Sequence, residues 1–129
     1  MPWRFMSGRL WSPTGRSWPA ISGPWGRGAL PAGTYTIQRP MLTSEPSMKD
    51  SNGFGWKARL EPNFSTERFG LLIHPDGGVT GTLGCIGIRR PCDTKPLYND
   101  LMSTNDLTLV VSIGSSEKKS AQPGKKPSA

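Results

Sequence analysis

The chain of 129 residues is long enough for one domain with a single hydrophobic core. Only 34% of its residues are hydrophobic, and no run of about 18 apolar residues occurs, so the sequence predicts no membrane span. Its 16 glycines and 13 prolines indicate short strands joined by many turns.

The net charge of +7 is unevenly distributed. Residues 115–129 hold four lysines and one glutamate, or +3, which leaves +4 for residues 1–114. We predict one domain over residues 1–114 and a solvated, disordered tail over residues 115–129. Attraction to a polyanion is the alternative role of this tail. The body lacks a basic helix or an aromatic–basic RNA motif, so we predict no nucleic-acid partner.

Several stretches have the alternating or β-branched and aromatic content of short strands. In chain order they are Met1–Trp11, Ser17–Ser22, Thr34–Gln38, Phe54–Leu60, Phe69–His74, Cys85–Arg89 and Leu107–Ile113. Pro19 interrupts the second stretch and indicates an edge strand, because proline cannot donate to a ladder. The sequence predicts a mostly β domain, closed up as a sandwich or small barrel, with one short helix.

Two further segments complete the predicted fold. Arg39–Ser51 is predicted to be a loop whose length suggests a lid or rim. Thr94 is expected to cap the short helix, with Pro96 in its first turn. The predicted core-facing residues of this helix are Leu97, Leu101 and Met102.

The stretch Phe69–Ile88, FGLLIHPDGGVTGTLGCIGI, holds the only histidine, His74, and one of the two cysteines, Cys85. If Ile73 points into the core, His74 points the other way, toward a surface or cleft. A Gly-rich loop then leads to the cysteine. A neighbouring imidazole can take the proton of a thiol and return one to a leaving amine, which is nucleophilic acyl chemistry. Taken singly, each of these residues is more often structural.

Other uses of these residues compete. A zinc site on His74, Cys85 and Cys92 needs a fourth ligand, Asp76 or Asp93, and no CxxC or HExxH spacing exists. We therefore predict no metal and no cofactor. A Cys85–Cys92 disulfide would disable the nucleophile, so Cys92 is expected to be structural, with redox gating as the alternative. Papain-like peptidases present Cys before His, the reverse of the order here.

Together these residues resemble the L,D-transpeptidase catalytic domain, in which an upstream His precedes a Ser/Thr-His-Gly-Cys-hydrophobic-Asn signature. His74 matches the upstream His, and the signature matches Thr82, Gly84, Cys85 and Ile86. Leucine stands at the second His of the signature and glycine at its Asn. These departures, together with GRL at 8–10, AISG at 20–23 and LPAGTYTI at 30–37, resemble the compact branch of type VI secretion effectors and their phage-borne relatives.

This resemblance implies a β-rich enzyme acting on peptidoglycan stem peptides. Cys85 would attack the meso-diaminopimelate–D-Ala bond, and His74 would protonate the leaving D-Ala. An amine or water would then resolve the acyl-enzyme by L,D-transpeptidation, D-amino-acid exchange or L,D-carboxypeptidase action. The backbone N–H groups of Gly84 and Cys85 would stabilise the oxyanion. The carbonyl of Pro75 would orient the imidazole, with Asp76 as the side-chain alternative or a plain turn former.

Substrate contacts are expected from four side chains: Tyr35, Trp56, Thr82 and Arg89. The two aromatic residues are core residues in the alternative interpretation. Arg89, like its neighbour Arg90, is either a stem-carboxylate contact or a solvated charge.

Three functions compete at this stage. An antibacterial type VI effector would act in the bacterial periplasm and cell wall, with an immunity protein or a secretion component as a further partner. A phage endolysin would use the same chemistry after release through a holin. A non-catalytic β module that binds cell wall is the third, and it predicts an unreactive Cys85. The first residues, MPWRFMSGRLWS, lack the apolar segment of about 7–15 residues found in secretory signals, so delivery by one of those two routes is expected.

Overall fold

The computed structural model describes residues 1–23, 28–76, 82 and 84–112. The predicted tail at 115–129 and most of the Gly-rich loop, residues 77–81 and 83, lie outside the described residues. The strands of the described part are β1 Trp3–Met6, β2 Arg9–Trp11, β3 Ser17–Ser22, β4 Gly33–Ile37, β5 Met41–Leu42, β6 Trp56–Pro62, β7 Leu72–Pro75, β8 Ile86–Ile88 and β9 Thr108–Val111. One α-helix, α1 Pro91–Ser103, and a short 3-10 turn, Pro46–Met48, accompany them.

Eight strands close into a barrel in the order β4-β9-β1-β2-β3-β8-β7-β6, with β6 pairing back onto β4. The short strand β5 pairs with the other end of β6. Closure removes the unpaired edges that an open sheet would leave. The predicted mostly β, barrel-like domain with one short helix is confirmed for the described residues.

The core of the barrel comes from strands whose side chains alternate between buried and partly exposed. This alternation is clear in β3, where Trp18 and Ala20 are buried. The largest fully buried side chains are Trp3, Trp56, Tyr35, Phe5, Leu10, Ile37, Ile73, Ile86, Ile88, Leu97, Leu101 and Leu109. Burying one such side chain contributes about 1.5–3 kcal/mol, so the inner face of each strand strongly specifies its register.

Pro19 does not mark an edge strand, and that prediction is wrong. β3 pairs with β2 on one side and β8 on the other. The β8 pairing covers only Ala20, Ile21 and Ser22, and beyond it the Pro19 carbonyl accepts the N–H of Arg89 at 3.4 Å. A strand residue points its N and its carbonyl to the same side, so the missing N–H of Pro19 falls where the β8 ladder has ended.

Helix α1 begins at Pro91, three residues before the predicted cap. Arg90 is its N-cap, and proline suits the first helical position because its N–H would have no partner there. The hydroxyl of Thr94, buried in the first turn, donates to Asp50 and to the Pro91 carbonyl. Of the predicted core residues, Leu97 and Leu101 are fully buried, whereas Met102 is 44% exposed. Residues four apart share a helix face and adjacent residues do not, so the prediction for Met102 is wrong.

The segment predicted as a loop at Arg39–Ser51 contains β5 and the 3-10 turn. It is anchored by Asp50, whose carboxylate accepts the N–H groups of Asn52 and Phe54 and the hydroxyl of Thr94. This segment is therefore an ordered rim tied to the helix. No helix in the described part of the chain is both long enough and apolar enough to span a bilayer.

Candidate active site

Parallel pairing of β7 and β8 brings His74 and Cys85 to one face of the barrel. His74 pairs with Gly87, and Cys85 stands two residues before that glycine. Ile73 and Ile86, which alternate with them, are fully buried on the inner face. Two residues along a strand and one strand spacing correspond to about 8 Å between Cα atoms, so the two side chains are diagonal neighbours on the outer face. The predicted orientation of His74 toward a surface or cleft stays a prediction, because its side chain is only 9% exposed.

The ring of His74 is held by its neighbour in the chain. Nδ1 lies 2.7 Å from the carbonyl oxygen of Pro75. A carbonyl only accepts, so Nδ1 carries the proton and Nε2 keeps its lone pair. The contact expected of Pro75 is thus present, and the ring is in the tautomer that a general base requires.

The surroundings of His74 favour its neutral form. The side chain is only 9% exposed, and this burial lowers its pKa below the usual 6.5. The Pro75 carbonyl and the negative charge of Asp76 oppose that shift without reversing it. Asp76 therefore acts on the imidazole as a nearby charge, while its own N–H donates to the Ile88 carbonyl at 2.9 Å.

The thiol of Cys85 is half-buried. Its sulfur donates to the Gly70 carbonyl at 3.8 Å and not to His74. Burial raises the pKa of Cys85 above 9.0, and the backbone of Leu72 and the Arg68 guanidinium act against that rise. The resting pair is accordingly a neutral thiol and a neutral imidazole, and rotation of the Cys85 side chain is needed to bring sulfur to nitrogen.

Thr82 organises the turn that presents the cysteine. Its hydroxyl accepts the N–H groups of Gly23, at 3.0 Å, and Gly84, at 3.2 Å, and donates to the Cys85 carbonyl at 2.6 Å. Its own N–H donates to the Gly23 carbonyl at 2.8 Å. Thr82 is 6% exposed and its hydroxyl is used in these bonds, so it holds the turn that carries Cys85, and its predicted contact with substrate stays a prediction.

Gly84 adopts a left-handed backbone conformation and lies against the guanidinium of Arg68, a residue that the sequence patterns do not single out. Its φ is +127°, and a Cβ built there would overlap Nη2 of Arg68. The same guanidinium donates to the carbonyls of Gly28, at 3.2 Å, and Ala29, at 3.4 Å. The N–H of Gly84 donates to the Thr82 hydroxyl, so it is not open to an oxyanion in this state, and its part in an oxyanion hole stays a prediction. No motif singles out Arg68, because its role depends on contacts between distant parts of the chain.

The other predicted substrate contacts are not beside the thiol. Tyr35 and Trp56 are both 0% exposed. The Tyr35 hydroxyl donates to the Pro31 carbonyl at 2.6 Å, burial raises its pKa to about 12, and the Trp56 indole donates to the Thr94 carbonyl at 3.0 Å. Both are core residues, so the predicted contact by either is wrong.

Arg89 lies on the outer face but far along the strand. It is exposed and stands four residues after Cys85, which corresponds to about 13 Å along β8. Arg90 donates to both carboxylate oxygens of Asp93, at 2.8 and 3.1 Å. The structure therefore does not bring either arginine to the nucleophile.

The second cysteine is separate from the site. Cys92 is exposed at the start of α1, and its sulfur lies 3.7 Å from Asp93 Oδ1. Both cysteines are free thiols. Within the described ranges, no group of three or more His, Cys, Asp or Glu side chains has a geometry that could hold a metal ion.

Comparison with protein-family models, with curated proteins and with solved structures finds no match to this chain. The likeness to L,D-transpeptidases thus depends on the residues quoted above and on the chemistry of the site.

Proposed function

We propose that this protein is a cysteine enzyme that attacks the meso-diaminopimelate–D-Ala bond of peptidoglycan stem peptides through a Cys85 acyl-enzyme. The observation that carries the proposal is the placement of His74 and Cys85 on one face of adjacent strands, with Nε2 of the imidazole left as the base by the Pro75 contact. Nucleophilic acyl transfer needs a base within hydrogen-bond reach of the thiol, and rotation of the Cys85 side chain would supply that contact.

The proposed reaction starts from the neutral pair. Cys85 turns from the Gly70 carbonyl toward His74, and Nε2 takes the thiol proton as sulfur attacks the carbonyl carbon of the third stem residue. The carbonyl π electrons move to oxygen, where the Cys85 N–H and the positive charge of Arg68 stabilise the oxyanion. When the carbonyl re-forms, the C–N bond breaks and the D-Ala nitrogen takes the proton from His74.

The second half releases the acyl group. An amine or water attacks the thioester carbon, His74 takes its proton, and the sulfur leaves with that proton as a thiol. Water gives an L,D-carboxypeptidase, whereas an amine gives transpeptidation or D-amino-acid exchange.

Delivery as a type VI secretion effector is the biological setting that the sequence resemblance supports. The enzyme would act in the target periplasm and have an immunity protein in the producing cell. An endolysin would share the chemistry and differ in its neighbouring genes, which would include a holin in place of secretion components and an immunity gene.

A non-catalytic wall-binding module is the second candidate. The observation that favours it is the state of the thiol, which hydrogen-bonds to Gly70 and has a raised pKa. In that case Cys85 would be an ordinary half-buried cysteine.

Incubation with tetrapeptide muropeptides and mass spectrometry of the products separates these functions. We expect loss or exchange of D-Ala with the wild type, and with Cys92→Ala as the matched control. Cys85→Ala and His74→Ala should each abolish the reaction while keeping the wild-type circular dichroism spectrum. Full activity in both variants would refute the proposed dyad. Inactive wild type that still sediments with purified sacculi would establish the binding module.

A further inference from the structure

A cavity of about 280 Å³ lies at the segment that precedes β7, and one residue of its lining contacts the thiol of Cys85. It lies between the second half of β6 and the segment that leads into β7. The lining residues that matter here are Arg59, Glu61, Phe64, Arg68, Phe69 and Gly70. Its volume suits a group about the size of one amino acid with its side chain.

The cavity and the thiol share a wall. Gly70 lines the cavity, and its carbonyl is the atom that accepts the Cys85 sulfur at 3.8 Å. Arg59 of β6 pairs with Leu72 of β7. The next residue of β7, Ile73, pairs with Ile86, so Cys85 lies beside Leu72 on the other side of β7. Arg59 and Cys85 are therefore on the same outer face, two strand spacings or about 10 Å apart. Gly70 therefore connects the cavity with the reacting sulfur.

The charges of the lining are of both signs. Arg59 and Arg68 contribute two guanidinium groups and Glu61 one carboxylate. Arg68 is anchored to the carbonyls of Gly28 and Ala29, which fixes its position. A simple anion would meet repulsion from Glu61, whereas a group with a carboxylate and an ammonium pairs with both signs.

The apolar part of the lining adds a second requirement. Phe64 packs edge-to-face on Tyr35, with ring centroids 5.3 Å apart, so its ring is held in place. Phe69 is 89% exposed at the cavity. Methylene groups that lead to a charged end would pack on these rings.

We propose that this cavity binds a zwitterionic α-amino-acid group, with Arg59 and Arg68 on its carboxylate and Glu61 on its ammonium. The inference deepens the proposed function and rests on it. Two sources present this group: the free end of the meso-diaminopimelate side chain in the donor stem, and a free D-amino acid that acts as acceptor.

The test measures acylation of full-length protein by intact mass, with the tetrapeptide stem and with a stem whose diaminopimelate side-chain carboxyl is amidated. Arg59→Gln and Glu61→Gln should each raise KM about 10-fold, the effect of one charge-assisted hydrogen bond, with kcat little changed. Lys95→Gln, an exposed charge on α1 that does not line the cavity, should be unchanged. Arg59→Lys should recover part of the loss.

The two sources give different patterns. If the donor side chain occupies the cavity, amidation slows acylation of the wild type and has little further effect on Arg59→Gln. If the acceptor occupies it, acylation is unaffected and the KM for free D-methionine in exchange rises instead.

Failure of the inference and failure of the proposed function are distinguishable. If the wild type is acylated normally and neither variant changes acylation or exchange, the proposed ligand of the cavity is refuted, whereas the proposed enzymatic function stands. If the wild type is not acylated at all, the proposed function fails. Binding of meso-diaminopimelate and of D-methionine to Cys85→Ala, measured by titration, then tests the cavity separately. Binding that Arg59→Gln weakens retains the cavity, and no binding overturns it.

Discussion

Replacing Thr82 by valine tests whether one hydroxyl holds the turn that carries the nucleophile. Valine has nearly the shape of threonine, so the packing of the buried side chain is kept. What disappears are the three hydrogen bonds of Oγ1, with the N–H of Gly23, the N–H of Gly84 and the carbonyl of Cys85. Valine therefore leaves these three backbone groups without their hydrogen-bond partner.

The expected loss follows from these bonds. A hydrogen bond contributes roughly 1 kcal/mol net, and a buried group left without a partner costs about 1–3 kcal/mol. Three bonds therefore predict a fall of about 3 kcal/mol in the free energy of unfolding, a large part of the ~5–15 kcal/mol typical of a domain. Thr82→Ser keeps the hydroxyl and removes one methyl group, for a loss of about 0.8 kcal/mol.

Urea unfolding followed by tryptophan fluorescence measures the difference, because several of the 5 tryptophans are buried. Activity per folded molecule should also fall further in the valine variant than in the serine variant, since the Cys85 carbonyl is released. A valine variant as stable and active as the serine variant would refute the positioning role of Thr82.

Three further predictions use the same site. Gly84→Ala should lower the free energy of unfolding by about 2 kcal/mol or more, because the new Cβ would contact Arg68 and because alanine is strained at the φ of this position. In a double-mutant cycle followed by urea unfolding, Arg68→Ala should remove the part of this loss that comes from the steric contact. The folded-state pKa of His74 is below 6.5, so the unfolded chain alone gains a proton as pH falls through 6.5, and the free energy of unfolding should fall there. His74→Gln should remove that dependence. Burial raises the pKa of Cys85, so without substrate its alkylation by iodoacetamide, followed by intact mass, should have its midpoint at a higher pH than that of a free thiol measured alongside.

Each of these three predictions has a control variant and a result that would contradict it. Gly70 has a φ of +67°, and a Cβ built there would have no atom within 4 Å. The loss of stability in Gly70→Ala therefore measures backbone strain without a steric contact. Equal losses at Gly70 and Gly84 would exclude the steric effect. An unfolding free energy equally dependent on pH in wild type and His74→Gln would assign the dependence to other groups. In a Cys92→Ala background, an alkylation midpoint below that of the free thiol would contradict the neutral resting pair and indicate a Cys85 thiolate beside a His74 imidazolium.

Much of the fold is predictable because strands have local signals. The alternation in Ser17–Ser22 and Thr34–Gln38 gives strands within one residue of those observed. The stretch Phe69–His74 gives a strand that begins late, at Leu72, and Phe69 itself is exposed. Period-two alternation identifies a half-buried strand, but exposed aromatic residues extend the pattern beyond its real end.

The predictions that were wrong, and the residue that the sequence patterns did not indicate, have a common physical origin. Tyr35 and Trp56 belong to the core because closure of the barrel turns their faces inward, and no local pattern says which face closure selects. Pro19 is tolerated because β8 ends beside it. Arg68 reaches the site through contacts with Gly28 and Gly84, which lie far from it in the chain. Long-range geometry determined each of these outcomes.

The placement of His74 and Cys85 on one face is itself a consequence of barrel register. A slip of one residue between β7 and β8 would turn Cys85 inward and bring Ile86 to the outer face, because side chains alternate. Burial of Ile73 and Ile86 opposes that slip with about 1.5–3 kcal/mol per side chain. Pairing of Ile86 with Ser22 of β3 holds β8 from its other side. The same apolar residues that form the core therefore place the imidazole and the thiol on one face, so core variants that loosen this register should lose activity before they unfold.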